Sequence, residues 1–333
     1  MAVIRDMMPA FKLFQPTTTD EALGLLEEYG AQAWILAGGL DSFDWLKDRV
    51  KRPTAVVDLG GVEELRAIRS SNNGLAIGAM ATLREVIRHQ EVSDSYRILA
   101  DSAALAASPQ IRNQGTLGGN LGQDTRCWYY RDGWNCYRAG GNICYADTPT
   151  AMNREHCILG ASRCVAVNPS DTAPALIALD AEMEIRNSGG TQIVSAEDFF
   201  VGPAVDITRM TALQSSDLLT TIRIPPTWAG ARFYFEKSRD RAVWDFALAS
   251  VASAAKITNG TVEDIRITVN GVAPTPLRLR ASEDVVRGQQ LTEDVAKRAG
   301  EAAVQGVRPL AHNGFKVALL RNLVIRAVRG AEA

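Results

Sequence analysis

The 333-residue sequence predicts an α+β fold. Three observations carry that reading. Helix and strand periods alternate over residues 18–59, a stretch from 108 to about 163 follows neither period, and near the C-terminus strands come before helices. A 46% hydrophobic composition over this length supports two or three cores.

Thr18 and Glu21 form a capping box before a helix that aligns Ala22, Leu23, Leu26 and Tyr29 and stops near Gly30. The apolar run 34–37 is a buried strand entering Gly38-Gly39, after which Asp41 or Ser42 could cap a helix over 43–50, ended by Pro53. Residues 55–59 are a second strand, which completes a small αβαβ unit. Strands at 67–69 and 75–78 flank a turn around Asn73-Gly74, and helices follow at 82–88 and 96–107. The irregular stretch from 108 is too long for an idle loop and implies function or a cofactor. Beyond it come a strand at 164–167, a helix at 173–178, a strand from 182 and a strand at 220–224 closed by Pro225-Pro226. Asn259-Gly260 marks a hairpin between 246–258 and 261–270, and helices occupy 293–305 and 314–329. The expected units are 1–65, 66–206 with a cysteine loop at about 122–163, and 207–333, joined near Gly202-Pro203.

Charge and motifs exclude several functions. Lys and Arg number 36 against 38 Asp and Glu, a balance that argues against a nucleic-acid partner. No apolar run is long enough to span a membrane, and residues 1–6 do not open a secretory leader, so the expected compartment is the cytoplasm. Metalloprotease, P-loop, nucleophile-elbow and Rossmann signatures are all missing. No pair of carboxylates or nucleophile with a base suggests substrate chemistry, so no catalytic residue is assigned.

All five cysteines fall between 127 and 164, spaced C-x8-C-x7-C-x12-C with Cys164 beyond. Core cysteines should scatter, and disulfides are a poor account without a secretion signal. Four thiolates suit a tetrahedral zinc or an iron–sulfur cluster; the absence of short knuckles favours the cluster, and a metal-free loop stays open. Trp128, Tyr129, Tyr130, Trp134, Tyr137 and Tyr145 would shield a cluster or pack against a partner. His156, beside Cys157, is a candidate ligand or ordinary loop polarity, while His89 and His312 read as surface residues. Two glycine turns complete the set. Gly38-Gly39 follows a strand, as a tight turn or an anion site, and Gly115–Asn120 is a candidate nest of N–H groups for a diphosphate.

These residues bring a family into view. Ala37–Ser42 (A-G-G-x-D-S), Ser108–Asn120 (S-P-Q-I-R-N-x-G-T-L-G-G-N), Pro169–Leu176, Leu218–Pro225, the Lys237 to Arg241 pair and Asn313–Lys316 resemble the FAD-binding medium subunit of the xanthine oxidase family of molybdenum hydroxylases. The resemblance spans essentially the whole chain. It implies a vanillyl-alcohol-oxidase-like FAD-binding half of two α/β subdomains, followed by a small antiparallel sheet with helices. By resemblance, the diphosphate lies on Leu36, Ala37, Gly38, Gly39, Leu40, Asp41 and Ser42, and on Thr116, Gly118, Gly119 and Asn120, largely through backbone N–H groups. Ser108 and Pro109 shape the approach to the flavin. Asp171 lies close to FAD or else caps the helix behind it. Leu218 and Leu219 touch the cofactor rings or belong to the core. Lys237 sits by the isoalloxazine and would stabilise an anionic reduced flavin, unless it is a solvated strand residue. Arg112 reads as a brace for the glycine-turn carbonyls.

The cysteine loop is similar to that of the 4-hydroxybenzoyl-CoA reductase β subunit, a subgroup with an extra [4Fe–4S] cluster. The middle spacing fits, the first interval is shorter and the last longer. The resemblance implies Cys127, Cys136, Cys144 and Cys157 as ligands, with Cys164 buried and inert. It also implies an electron-transfer subunit inside a heterotrimer that can double. A large subunit would carry the molybdenum cofactor and a small one two [2Fe–2S] clusters, with ferredoxin, NAD or quinone as external carrier. The rivals are a cluster-free flavin subunit reducing NAD or oxygen, a stand-alone flavin oxidase and a zinc-loop scaffold.

Overall fold

A computed structural model describes residues 8–331 of the chain. The leader reading at 1–6 lies outside these residues. The first sheet is parallel, with β1 (Lys12–Phe14), β2 (Ala33–Leu36) and β3 (Ala55–Asp58) in the order β1-β3-β2. The expected capping box forms: Thr18 and Glu21 exchange hydrogen bonds at the start of the helix Thr19–Tyr29. That helix buries Ala22, Leu23 and Leu26 against Val57, Leu59 and Val62. β1 was not foreseen, because three residues give no period to read.

The second sheet is antiparallel: β4 (Ile68–Ser71), β5 (Gly74–Gly78), β6 (Glu182–Asn187), β7 (Gly190–Ser195) and β8 (Leu218–Ile224). Its order is β4-β5-β8-β6-β7, so β8 lies at the centre and the unit extends to Ile224. Helices Leu83–Arg88, Arg97–Ala104 and Ala173–Ala178 close the main core over it. The third sheet is also antiparallel, with β9 (Arg232–Ser238), β10 (Ala249–Thr258), β11 (Thr261–Asn270) and β12 (Leu277–Arg278) in the order β12-β11-β10-β9. Helices Arg280–Val286, Glu293–Ala303 and Phe315–Gly330 back this sheet. Asn259 and Gly260 both take positive φ, as the tight β10–β11 hairpin requires.

Three expectations need correction. Residues 164–167 are not a strand: the carbonyl of Val165 accepts from the Cys157 N–H and that of Val167 from the Thr125 hydroxyl, so loop residues take the place of a neighbouring strand. β7 and β9 were not read, and neither was the helix Arg280–Val286. Asp41 sits at the head of the helix Ser42–Lys47 without capping it, because its carboxylate is engaged elsewhere. Among the described residues no helix is long and apolar enough to cross a membrane.

Candidate cofactor site

The two glycine turns meet backbone to backbone. A Cβ on Gly38 would stand 2.4 Å from the Gln114 carbonyl oxygen and 3.0 Å from the Gly115 Cα. Gly39 has φ +78°, and a Cβ there would strike the Phe43 ring at 2.8 Å. The Gly39 and Leu40 N–H groups make no backbone hydrogen bond among the described residues and are open donors behind β2.

The second turn differs from the expected nest. Leu117 and Gly118 donate to the carbonyls of Ala81 and Ala79, both at 2.8 Å. Gly119 donates to the Thr116 hydroxyl at 3.0 Å and Asn120 to the Thr116 carbonyl at 2.9 Å. Four consecutive donors are thus taken up within the chain. Here glycine permits close approach, since a Cβ on Gly118 would meet Ala79 at 2.8 Å. We expect G38A to weaken flavin binding about 10- to 100-fold with the secondary structure retained, since a backbone collision displaces the turn. Flavin titration against circular dichroism checks this; unchanged affinity would remove the turn from the site.

Asn120 works through its side chain. Its Oδ1 accepts from the hydroxyls of Ser170 and Thr172, both at 2.7 Å, and from the Thr172 N–H at 3.3 Å. Ser170 Oγ in turn accepts from the Ala173 N–H at 3.2 Å, which leaves Asp171 out of the helix cap. Asp171 instead accepts from Lys237 Nζ at 2.7 Å. The side chains of this pair are 6% and 0% exposed, so Lys237 is not a solvated strand residue. Lys237 also donates to the Leu105 carbonyl, and Arg239 reaches the same oxygen, each at 3.1 Å. Burial pushes the Asp171 carboxyl above the usual range, against the pull of the Lys237 ammonium. Ser108 caps Pro109–Arg112, and Arg112 bonds the Ala106 carbonyl at 2.6 Å rather than the glycine turns. Leu218 and Leu219 are buried in two separate cores, as their apolar alternative expected.

Asp41 ties the first turn to the cysteine loop. Its carboxylate accepts from Arg126 at 2.6 Å, from Arg131 Nη2 at 3.1 Å and from the Trp45 indole at 3.1 Å. Arg126 also stacks on the Phe246 ring at 4.7 Å and Arg131 on Trp45 at 3.8 Å. Neither arginine was singled out from the sequence, because their partner lies more than 80 residues away.

The five cysteines are all free; Cys136 and Cys157 are buried and the other three half-buried. Cys127, Cys136, Cys144 and Cys164 line a common cavity of about 10 Å³ with Arg138 and Tyr130. Cys157 packs beside Cys127 and Cys144 at its edge. Burial pushes the thiols of Cys127 and Cys157 up to about 12. His156 Nε2 lies 3.3 Å from Cys127 Sγ, and His156 Nδ1 is buried without a partner. Burial, with Lys316 nearby, pulls His156 down to about 4, so its ring is neutral at physiological pH. Among the described residues no three His, Cys, Asp or Glu side chains converge as ligands of a metal ion. The aromatic residues divide: Tyr129 stacks on Tyr145 and Trp134 meets both edge-on, whereas Trp128 is 58% exposed.

Known proteins match over the same range. The family described as FAD binding domain in molybdopterin dehydrogenase covers residues 9–227, and the CO dehydrogenase flavoprotein C-terminal domain covers 233–331. The aldehyde oxidoreductase FAD-binding subunit of Escherichia coli (strain K12) is 32% identical over 321 residues, 95% of this chain and 96% of that one. The carbon monoxide dehydrogenase medium chain of Hydrogenophaga pseudoflava is 28% identical over 330 residues, 98% of each. A solved structure of carbon monoxide dehydrogenase from that organism, lacking the Mo-pyranopterin moiety of its molybdenum cofactor, aligns with a TM-score of 0.79, 28% identity and 98% coverage of both chains.

Proposed function

The chain belongs to the family of FAD-binding medium subunits of molybdenum hydroxylases, and from that membership we propose that it is an electron-transfer subunit carrying FAD and a [4Fe–4S] cluster. The observation that carries the flavin reading is the close backbone approach of the two glycine turns, which leaves no room for a Cβ at Gly38. The open Gly39 and Leu40 donors suit the diphosphate, and the Asp171–Lys237 pair with Ser108 suits the flavin end. Bound FAD would supply two-electron acceptance with one-electron release. Asn120 orients Ser170–Thr172 and so fixes Asp171. Lys237, stripped of water, supplies positive charge where a reduced flavin would carry negative charge.

The donor set of the cysteine loop fits an iron–sulfur cluster better than zinc. A single ion needs three or four donors converging tightly, which is not seen among the described residues. A cubane holds its thiolates further apart, and four cysteines ring one cavity; the loop would have to widen around the cluster. We infer Cys127, Cys136, Cys144 and Cys164 as its ligands, with Cys164 replacing Cys157 of the set implied by resemblance. On this reading the chain would join the cluster-bearing subgroup of the family. Its partners are then a large molybdenum-cofactor subunit and a small [2Fe–2S] subunit, with ferredoxin, NAD or quinone outside. A cluster-free flavin subunit is the second reading, favoured by the lack of convergent ligands among the described residues.

Anaerobically purified protein should hold one FAD and, per chain, about four iron and four sulfide. Quantifying flavin, iron, sulfide and zinc on one sample tests both readings. FAD without iron after reconstitution selects the cluster-free subunit, and absence of FAD overturns the function.

A further inference from the structure

Lys316 opens the helix Phe315–Gly330, and its whole side chain is buried, at 0% exposure. The ammonium donates to three carbonyls: Glu155 at 2.8 Å, His156 at 3.0 Å and Gly271 at 2.7 Å. Asn313, equally buried, donates from Nδ2 to the carbonyls of His156 and Cys157 at 3.0 and 3.1 Å. These contacts clamp the segment 155–157 of the cysteine loop onto the C-terminal helix. They satisfy every donor of Lys316 but bring no opposite formal charge. No carboxylate lies within ion-pair distance of Lys316 among the described residues. Arg138, the other buried cation of this region, has Asp124 at 2.7 Å. With no counter-ion, burial pulls the Lys316 ammonium down to about 7, and an anion beside it would hold it charged. The clamped segment carries His156, whose ring reaches Cys127 Sγ, and Cys157, which packs on Cys127 and Cys144.

We propose that Lys316 is a positioning residue that sets the potential of the cysteine-loop cluster: its buried ammonium supplies the counter-charge to an anionic centre and favours the reduced form. This rests on the cluster reading above. Adding one electron makes the centre more negative by one charge, so a fixed positive charge stabilises the reduced state more than the oxidised one. The segment 155–157 is the link, since the lysine holds its carbonyls while its side chains abut the thiols.

The test uses the purified chain, loaded with FAD and iron, in a redox titration read by electron paramagnetic resonance and visible absorbance. K316Q keeps amide donors for the clamp and removes the charge. We expect it to retain FAD and iron, with the ratio of reduced to oxidised cluster at fixed potential falling about tenfold, a shift of ~59 mV for a one-electron centre. The flavin potential should stay in place. K316R keeps the charge and should keep the cluster potential, which also decides the question where K316Q does not fold. N313A loosens the same clamp without changing charge and should leave the potential unmoved. A K316Q cluster at the wild-type potential, a K316R cluster shifted as far as tenfold, or N313A reproducing the K316Q shift overturns the proposal. Wild-type protein that never takes up iron overturns the cluster reading instead, and this proposal with it.

Discussion

C164S is expected to lose most of its iron while keeping its flavin. C127S, C136S and C144S should behave alike, each falling from about four iron per chain to below one. Cys164 lines the same cavity as the other three, so its thiol sits where a bridging cluster would need the fourth ligand. Cys157 stands outside that lining, with its backbone held by Val165 and Asn313, and C157S should keep near-normal iron. Iron and sulfide analysis with flavin absorbance on each variant decides the matter. Iron retained in C164S and lost in C157S would restore the set implied by family resemblance. Full iron in all five variants would mean that the metal lies elsewhere.

Breaking the Asp171–Lys237 pair should cost more stability than any other single change at the proposed flavin site. Both groups are almost completely buried, so removing one leaves the other desolvated and unpaired. K237M and D171L are each expected to lose about 3–5 kcal/mol of folding free energy. The double variant K237M/D171L replaces the pair with apolar side chains and should recover much of that loss. Urea midpoints for the four proteins form the cycle. The flavin should respond differently: K237M and the double variant both lose the charge, so both should bind reduced flavin more weakly. Recovery of stability without recovery of flavin affinity separates the structural role from the cofactor role. If the single variants match wild type in urea, the pair is not the buried contact described above.

Much of the local structure was legible because its causes are local. Thr18 and Glu21 cap a helix across three residues, and Asn259-Gly260 turns a hairpin across two. The glycine turns were legible as sites, but the division of labour between them was not. Whether the N–H groups of Leu117 and Gly118 are open depends on Ala81 and Ala79, which the sequence does not pair with them. Lys237 on β9 reads alone as a solvated lysine, and only Asp171, 66 residues earlier, makes it a buried ion. Residues 164–167 carry a strand-like apolar run, yet the partners of their carbonyls are Cys157 and Thr125, both outside any strand. Lys316 gave no local signal, since its three acceptors are backbone carbonyls on two distant segments.

The grip of Arg126 and Arg131 on Asp41 bears on how such a subunit could arise and be redesigned. The cysteine loop looks like a cassette spliced between two helices, Leu117–Leu121 and Ala173–Ala178. Yet its arginines neutralise an aspartate in the opposite turn, and its far end is sewn to Asn313 and Lys316. Transplanting the loop alone would strand those arginines and leave the aspartate unanswered. The portable unit is the loop together with its two docking stations, so gain of such a loop in one lineage demands concerted changes at three separated stretches of the gene.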